Sequence, residues 1–263
     1  MRVERLFFHR MISFFAEIRL RNPELFVFGL LMLFLSLLFL ALSKWWPMEV
    51  NGANAWFKPF KFAASTMFYA WTLAWFIHYL PDFNKAAFNW SVIILLGFEV
   101  AYIAIQAGRG MSSHFNVSSP FYRAMFSLMA FAAAAVTIYT LWVAVRFFQW
   151  NGEGLPDYYL WSIRLALLLF VVFSFEGFAI GARMAHTVGG PDSSAGIPVL
   201  GWSKTLGDLR IAHFVGMHAL QVLPLVSFYL LKNTRLTVLF ALLYAALAVW
   251  VLAKALQGKS LFG

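Results

Sequence analysis

The sequence predicts an all-α polytopic membrane protein, with seven transmembrane helices preceded by an N-terminal amphipathic interfacial helix. Three observations predict it. The 263 residues are 62% hydrophobic and only 12% charged, with a mean hydropathy of +0.75. A soluble domain of this size would lack material to face water. Seven apolar segments reach the roughly 20 residues needed to cross a hydrocarbon core of about 30 Å. Prolines and glycines sit at the ends of these segments, where helices open and close.

Taken in order, Val3, Phe7, Met11, Phe14 and Ile18 recur at helical spacing, with Arg2, Arg5, His9, Ser13 and Glu17 elsewhere on the wheel. Residues 1–22 therefore read as a basic amphipathic helix lying in the interface, not as a cleavable signal peptide. Residues 23–263 read as a single seven-helix domain. The first span runs about Leu25 to Ser43, opened by Asn22 as N-cap and Pro23 at the first helical position. The second runs Phe60 to Leu80 and stops at Pro81, and the third runs Ala87 to Ala107 and ends at Gly108. The fourth follows Pro120 from Phe121 to Arg146, and the fifth, opened by Pro156 and Asp157, runs Tyr158 to Ala182. The sixth covers Asp208 to Leu231 and the seventh Thr234 to Ala255. The fourth and seventh are nearly free of polar groups and are expected to face lipid.

The second, fourth and sixth connections carry little. The first, third and fifth share one membrane face and hold the motifs. The fifth, residues 184–207, is rich in Gly, Pro and Ser without a strand signal, and reads as a cap over a site at one leaflet.

Composition excludes some chemistry. There is no cysteine, hence no disulfide, Fe–S cluster or thiolate metal site. The formal charge of +9 points to anionic lipid in a membrane chain and not to nucleic acid. Basic residues divide evenly between the two faces. The free N-terminal arginines place the N-terminus in the cytoplasm and the polar site outside it.

Ionisable residues inside spans are costly and mark function. In the third span Glu99, Tyr102 and Gln106 form one helical stripe, with Arg109 beyond its end. A Glu99–Arg109 pair that fixes packing is the structural alternative. Arg109-Gly110-Met111-Ser112-Ser113-His114-Phe115-Asn116 is dense in polar groups for a loop. In the fifth span Glu176 and Arg183 share a face, with His186 three residues further on. The densest segment runs from Gly201 to Gln221 and holds Asp208, Arg210, His213, His218 and Gln221. Thr205-x-x-Asp208 has the form of a capping box. His213 and His218 stand roughly 140° apart on a regular helix of 3.6 residues per turn. That is poor spacing for one metal. Lys58 and Lys61 open the second span, either snorkelling to the interface or attracting an anion.

Trp56-Phe57-Lys58-Pro59-Phe60-Lys61-Phe62, Gln106…Arg109-Gly110…Ser113-His114-Phe115-Asn116 and Gly201-Trp202-Ser203…His218-Ala219-Leu220-Gln221 resemble a family of bacterial multipass membrane proteins. The resemblance implies a bacterial cytoplasmic (inner) membrane and no particular activity.

The leading expectation is a metal-dependent membrane enzyme, a hydrolase or oxidoreductase. His114, His186, His213 and His218 would supply ligands to Zn, Fe or Cu. Glu99, Glu176 or Asp208 would handle protons. Lys58, Lys61, Arg109, Asn116, Arg183, Arg210 and Gln221 would hold an anionic lipid or small-molecule substrate. The alternatives are a transporter or channel using Glu99 and Glu176, and a haem protein with histidine axial ligands.

Overall fold

The computed structural model describes residues 13–192 and 196–262. It is all-helical with a few two-residue strands. Seven long helices follow one another: α1 (Pro23–Trp45), α2 (Phe57–Ile77), α3 (Lys85–Gly108), α4 (Pro120–Gln149), α5 (Asp157–Arg183), α6 (Leu209–Val226) and α7 (Thr234–Leu256). Two antiparallel strand pairs lie in the connections, β1 (Glu49–Val50) with β2 (Ala53–Asn54), and β3 (Thr187–Val188) with β4 (Gly207–Asp208).

The sequence sets the helix ends through caps. Asn22, Asn84, Ser119 and Asn233 accept hydrogen bonds from the backbone N–H of Leu25, Ala87, Tyr122 and Leu236, and Pro23 and Pro120 occupy the first turn. Pro224 has no N–H to give to the ladder of α6, and the last turn, Ser227–Leu231, widens into a π-helix. The Asn51-Gly52 dipeptide, with φ of 52° and 73°, turns the β1–β2 hairpin. That is the conformation Asn-Gly favours.

Among the described residues six helices, all of these but α2, are long and apolar enough to cross a membrane. The 21-residue α2 carries Lys58, Lys61, Thr66 and Thr72 and falls short in apolarity. Its buried face explains this. Ala63, Thr66, Met67, Tyr69, Ala70, Leu73, Ala74 and Ile77 pack against protein, where lipid makes no demand on them. As expected, α7 presents Leu239, Leu242, Leu243, Val249 and Trp250 outward. Likewise α4 turns Phe121, Leu128, Phe131, Ile138 and Trp142 outward, while Met129, Ala132, Val136, Thr137 and Thr140 form its buried face.

Close helix approach uses glycine. The backbone at Gly29 receives the Trp71 indole and Gly216 receives the Phe173 ring; a Cβ at either would collide. Polar pairs tie the helices, including Asn22 with Asn89 (2.9 Å in both directions), Tyr69 with Thr140 (2.7 Å) and Ser227 with Thr237 (2.6 Å).

The Asn22–Asn89 pair brings the starts of α1 and α3 to one end of the bundle. Residues 13–21 are helical there, with Arg21 over the Trp75 and Tyr79 rings and Ile18 fully buried. The first half of the expected interfacial helix, with Arg2, Arg5, Phe7 and His9, lies outside the described residues. At the opposite end, the odd connections gather as expected. Ser260 reaches back to the Lys204 carbonyl (2.7 Å) and Gly207 sits against the backbone of Ala255, so the end of α7 anchors the cap.

Candidate functional site

The cap is more ordered than its Gly/Pro/Ser content suggests. Thr187 and Val188 pair with Asp208 and Gly207, contrary to the expectation of a strandless connection. Ser203 Oγ accepts from the N–H groups of Thr205 and Leu206, and Ile197 N–H donates to the Trp202 carbonyl (2.8 Å). These local bonds hold the carbonyls of Leu200 and Gly201 over the starts of α2 and α6.

Two cations dock on those carbonyls. Lys61 donates to Leu200 (2.7 Å) and Arg210 to Gly201 (2.6 Å). Arg210 also forms a fork with Asp208, Nε to Oδ1 at 2.9 Å and Nη2 to Oδ2 at 2.6 Å. Asp208 further accepts from the N–H of Ser203 and of Arg210, and its side chain is completely buried. The expected capping box is therefore displaced. Asp208 itself is the N-cap of α6, while Thr205 sits in a serine-led turn. With both oxygens committed, Asp208 holds Arg210 in place and is not an open base.

Lys58, half-buried in the first turn of α2, lies beside these groups. Its ammonium feels the charges of Lys61 and Arg210 and has no hydrogen-bond or ion-pair partner among the described residues. His114, in the α3–α4 loop, packs its ring against Phe62 and Phe126. Burial first, then the charges of Lys58 and His186, push His114 well below the usual imidazole range.

His186 completes the cluster. Its ring lies 5.0 Å from that of Phe115 and its Nδ1–H donates to Asp192 Oδ2 at 2.6 Å. Burial lowers the His186 pKa and outweighs the raising effect of Asp192. Asp192 is firmly anchored. It accepts from the backbone N–H of His186 and Thr187 and from the Thr187 hydroxyl (2.7 Å). Burial pushes its carboxyl up, but the His186 ring, the Thr187 hydroxyl and the His186 N–H prevail and hold it well below the carboxylate range.

The other two histidines lie apart from this cluster. His213 Nδ1–H donates to the Phe173 carbonyl (2.7 Å) and stands 3.4 Å from Glu176, its ring lying over the bare backbone of Gly177. His218 bonds the Phe214 carbonyl and stacks on the Phe214 ring. The four expected ligands thus divide into two pairs, His114 with His186 and His213 with His218. Among the described residues no three His, Asp or Glu side chains gather to hold a metal ion. The physical reason is the five-residue spacing of His213 and His218, together with the nearby carbonyls that capture each ring.

Other expectations need correction. Glu99, Tyr102 and Gln106 do form a buried stripe, but Arg109 turns to Gln106 (3.4 Å) and Tyr122 (3.2 Å), not to Glu99. Glu176 meets His213 and not Arg183, which is exposed. Asn116 closes a turn through Ser112 and Ser118. Gln221 bonds Thr72 inside the bundle. Of the expected anion-binding set, Lys58, Lys61 and Arg210 come together. Sequence reasoning missed Asp192, whose Gly-Gly-Pro-Asp setting reads as an ordinary turn. No protein-family model, no curated protein and no solved structure matches the chain.

Proposed function

We propose that the protein spans the membrane seven times and holds the anionic group of a lipid-like substrate in the Lys58–Lys61–Arg210 cluster beneath its cap. Seven crossings are supported by α2. It must return from the cap end to the end shared by the starts of α1 and α3, and its 21 residues reach about 30 Å at 1.5 Å per residue. The free arginines of the N-terminal segment assign the N-terminus to the cytoplasm in this reading, and the cap to the other side.

The observation that carries the anion reading is Lys58. Here three cations and two histidines meet two carboxylates, and each carboxylate is already committed, Asp208 to Arg210 and Asp192 to His186. A half-buried ammonium without a counter-ion is unfavourable unless something else neutralises it. A phosphate or carboxylate headgroup would do so, with its alkyl part among the lipid-facing aromatics.

Equilibrium binding tests this with the full chain in detergent, using fluorescent phosphatidic acid, inorganic phosphate as competitor, and phosphatidylcholine as control. Tight binding of phosphatidic acid, weakened at least tenfold in Lys58→Met and unchanged in Arg235→Met at the opposite end, supports the reading. Competition by inorganic phosphate at comparable concentration would assign the site to a free anion and not to a headgroup. Equal affinity in Lys58→Met and wild type would overturn the reading.

A second reading, proton- or cation-coupled transport, rests on one observation. Both oxygens of Glu176 are buried without a hydrogen-bond partner among the described residues, with His213 Nδ1 3.4 Å from one of them. Intramembrane carboxylates of this kind serve as ion sites. Proton flux in liposomes that disappears in Glu176→Gln and persists in Lys58→Met would favour it over the anion reading.

A further inference from the structure

We infer that His186 is a general base, positioned by Asp192, for hydrolysis of a phosphate ester held by the Lys58–Lys61–Arg210 cluster. This rests on the anion reading above and gives that site a reaction. The geometry has three parts.

The first is a fixed tautomer. Asp192 Oδ2 takes the Nδ1 proton of His186 at 2.6 Å, leaving Nε2 as the basic nitrogen, with no hydrogen-bond partner among the described residues. A carboxylate that orients an imidazole in this way is the arrangement by which histidine acts as a base.

The second is the rigidity of the orienting group. Asp192 receives two backbone N–H groups and the Thr187 hydroxyl besides the ring. The carboxylate and the imidazole are thus held by β3, which is itself paired to β4 at the start of α6. A carboxylate serving only to cap a turn would not need the imidazole. Here the ring is brought to the oxygen at the shortest distance of the set.

The third is the electrostatic setting. The Leu209 N–H donates to the His186 carbonyl (3.1 Å), and Thr187 pairs with Asp208, the partner of Arg210, so the dyad borders the cationic cluster. Part of the His186 side chain, 26%, remains exposed to water. An ester phosphate neutralising Lys58 would therefore lie next to both a base and solvent.

The step balances without a cofactor. Nε2 of His186 takes a proton from water as the water oxygen bonds to phosphorus. The bond from phosphorus to the ester oxygen breaks, and its electron pair stays on that oxygen. The Lys58 ammonium protonates the departing alkoxide, and the proton on His186 returns to Lys58 through solvent. The products are an alcohol and phosphate. Lys58, Lys61 and Arg210 stabilise charge on the non-bridging oxygens.

The test uses the full chain in mixed micelles with phosphatidic acid, reading phosphate release and, separately, phosphatidic acid binding. Wild type should release phosphate. His186→Gln keeps the backbone and Thr187 bonds to Asp192, so the cap persists; it should bind phosphatidic acid as wild type does and lose at least about a hundredfold in rate, as expected for removing a general base. Asp192→Asn should lower kcat with little change in KM, because it disturbs the tautomer and not the cation cluster. Lys58→Met should lose binding and rate together. Wild type that binds phosphatidic acid but releases no phosphate would overturn this inference and leave the anion reading standing. So would His186→Gln retaining full rate. Absence of binding in wild type would overturn the anion reading itself.

Discussion

Replacing Asp208 with alanine should be among the most damaging single changes at the cap. The carboxylate accepts four hydrogen bonds, from the N–H of Ser203 and Arg210 and from Nε and Nη2 of Arg210, at 2.6 to 3.1 Å. Its side chain is fully buried, whereas that of Arg210 is 28% exposed. Loss of an N-cap costs about 1 kcal/mol. Breaking one side of a buried ion pair costs about 3–5 kcal/mol, and the partial exposure of Arg210 reduces that share. Because the same carboxylate makes both interactions, the two do not add fully, and a net loss of about 3 kcal/mol is expected for Asp208→Ala. Asp208→Asn retains an acceptor for the cap and should lose about 2 kcal/mol. Reversible unfolding of the detergent-solubilised chain measures both. A double-mutant cycle with Arg210→Met isolates the pair, and the double variant should be less destabilised than the sum of the singles by about 1–2 kcal/mol. Asp208→Ala within about 0.5 kcal/mol of wild type, the range of an inert surface change, would refute the view that this pair organises the start of α6.

Acid should weaken the protein. The folded-state values of His114 and His186 lie below the ordinary one, so the unfolded chain takes up protons first. Their contribution is fully present above about pH 6.5 and is lost as pH falls below it. Asp192, also held low, contributes above about pH 4, and that contribution is lost on further acidification. The unfolding temperature should therefore fall between pH 7 and 5, less steeply in His114→Gln; a flat or rising profile would contradict this. Gly216→Ala should destabilise by about 1–3 kcal/mol, because its methyl would enter the Phe173 ring; unchanged unfolding would show that α5 and α6 are less closely packed. In Glu176→Gln, liposome proton flux should equal that of wild type if the anion reading holds, and its loss would favour transport.

Much of the fold is legible in the sequence, because lipid demands long apolar helices and because caps mark their ends. Asn22-Pro23 and Ser119-Pro120 are readable as helix starts for that reason. The gathering of Lys58, His114, His186 and Arg210 at one end follows from alternation of the connections alone. What the chain does not disclose is which polar groups turn toward one another once gathered. Arg109 prefers Tyr122, across a loop in the next helix, over the Glu99 of its own stripe. The rings of His213 and His218 are claimed by carbonyls at short range, and no spacing rule foresees that. Asp192 and the β3–β4 pair arise from the tertiary fold of a Gly-rich segment, where local propensity is weak. The β1–β2 hairpin is the converse case: its Asn51-Gly52 signal is present in the sequence and is overshadowed by the adjacent spans.

The central claim is that Lys58 waits for an anion, and the thermal unfolding of Lys58→Met beside wild type, with and without phosphatidic acid, tests it most directly. Removing a half-buried cation that lacks a partner should raise the stability of the unliganded protein by about 1 kcal/mol. It should also abolish most of the stabilisation that phosphatidic acid gives wild type through binding to the folded state. A variant less stable than wild type without lipid, yet equally stabilised with it, would contradict the account.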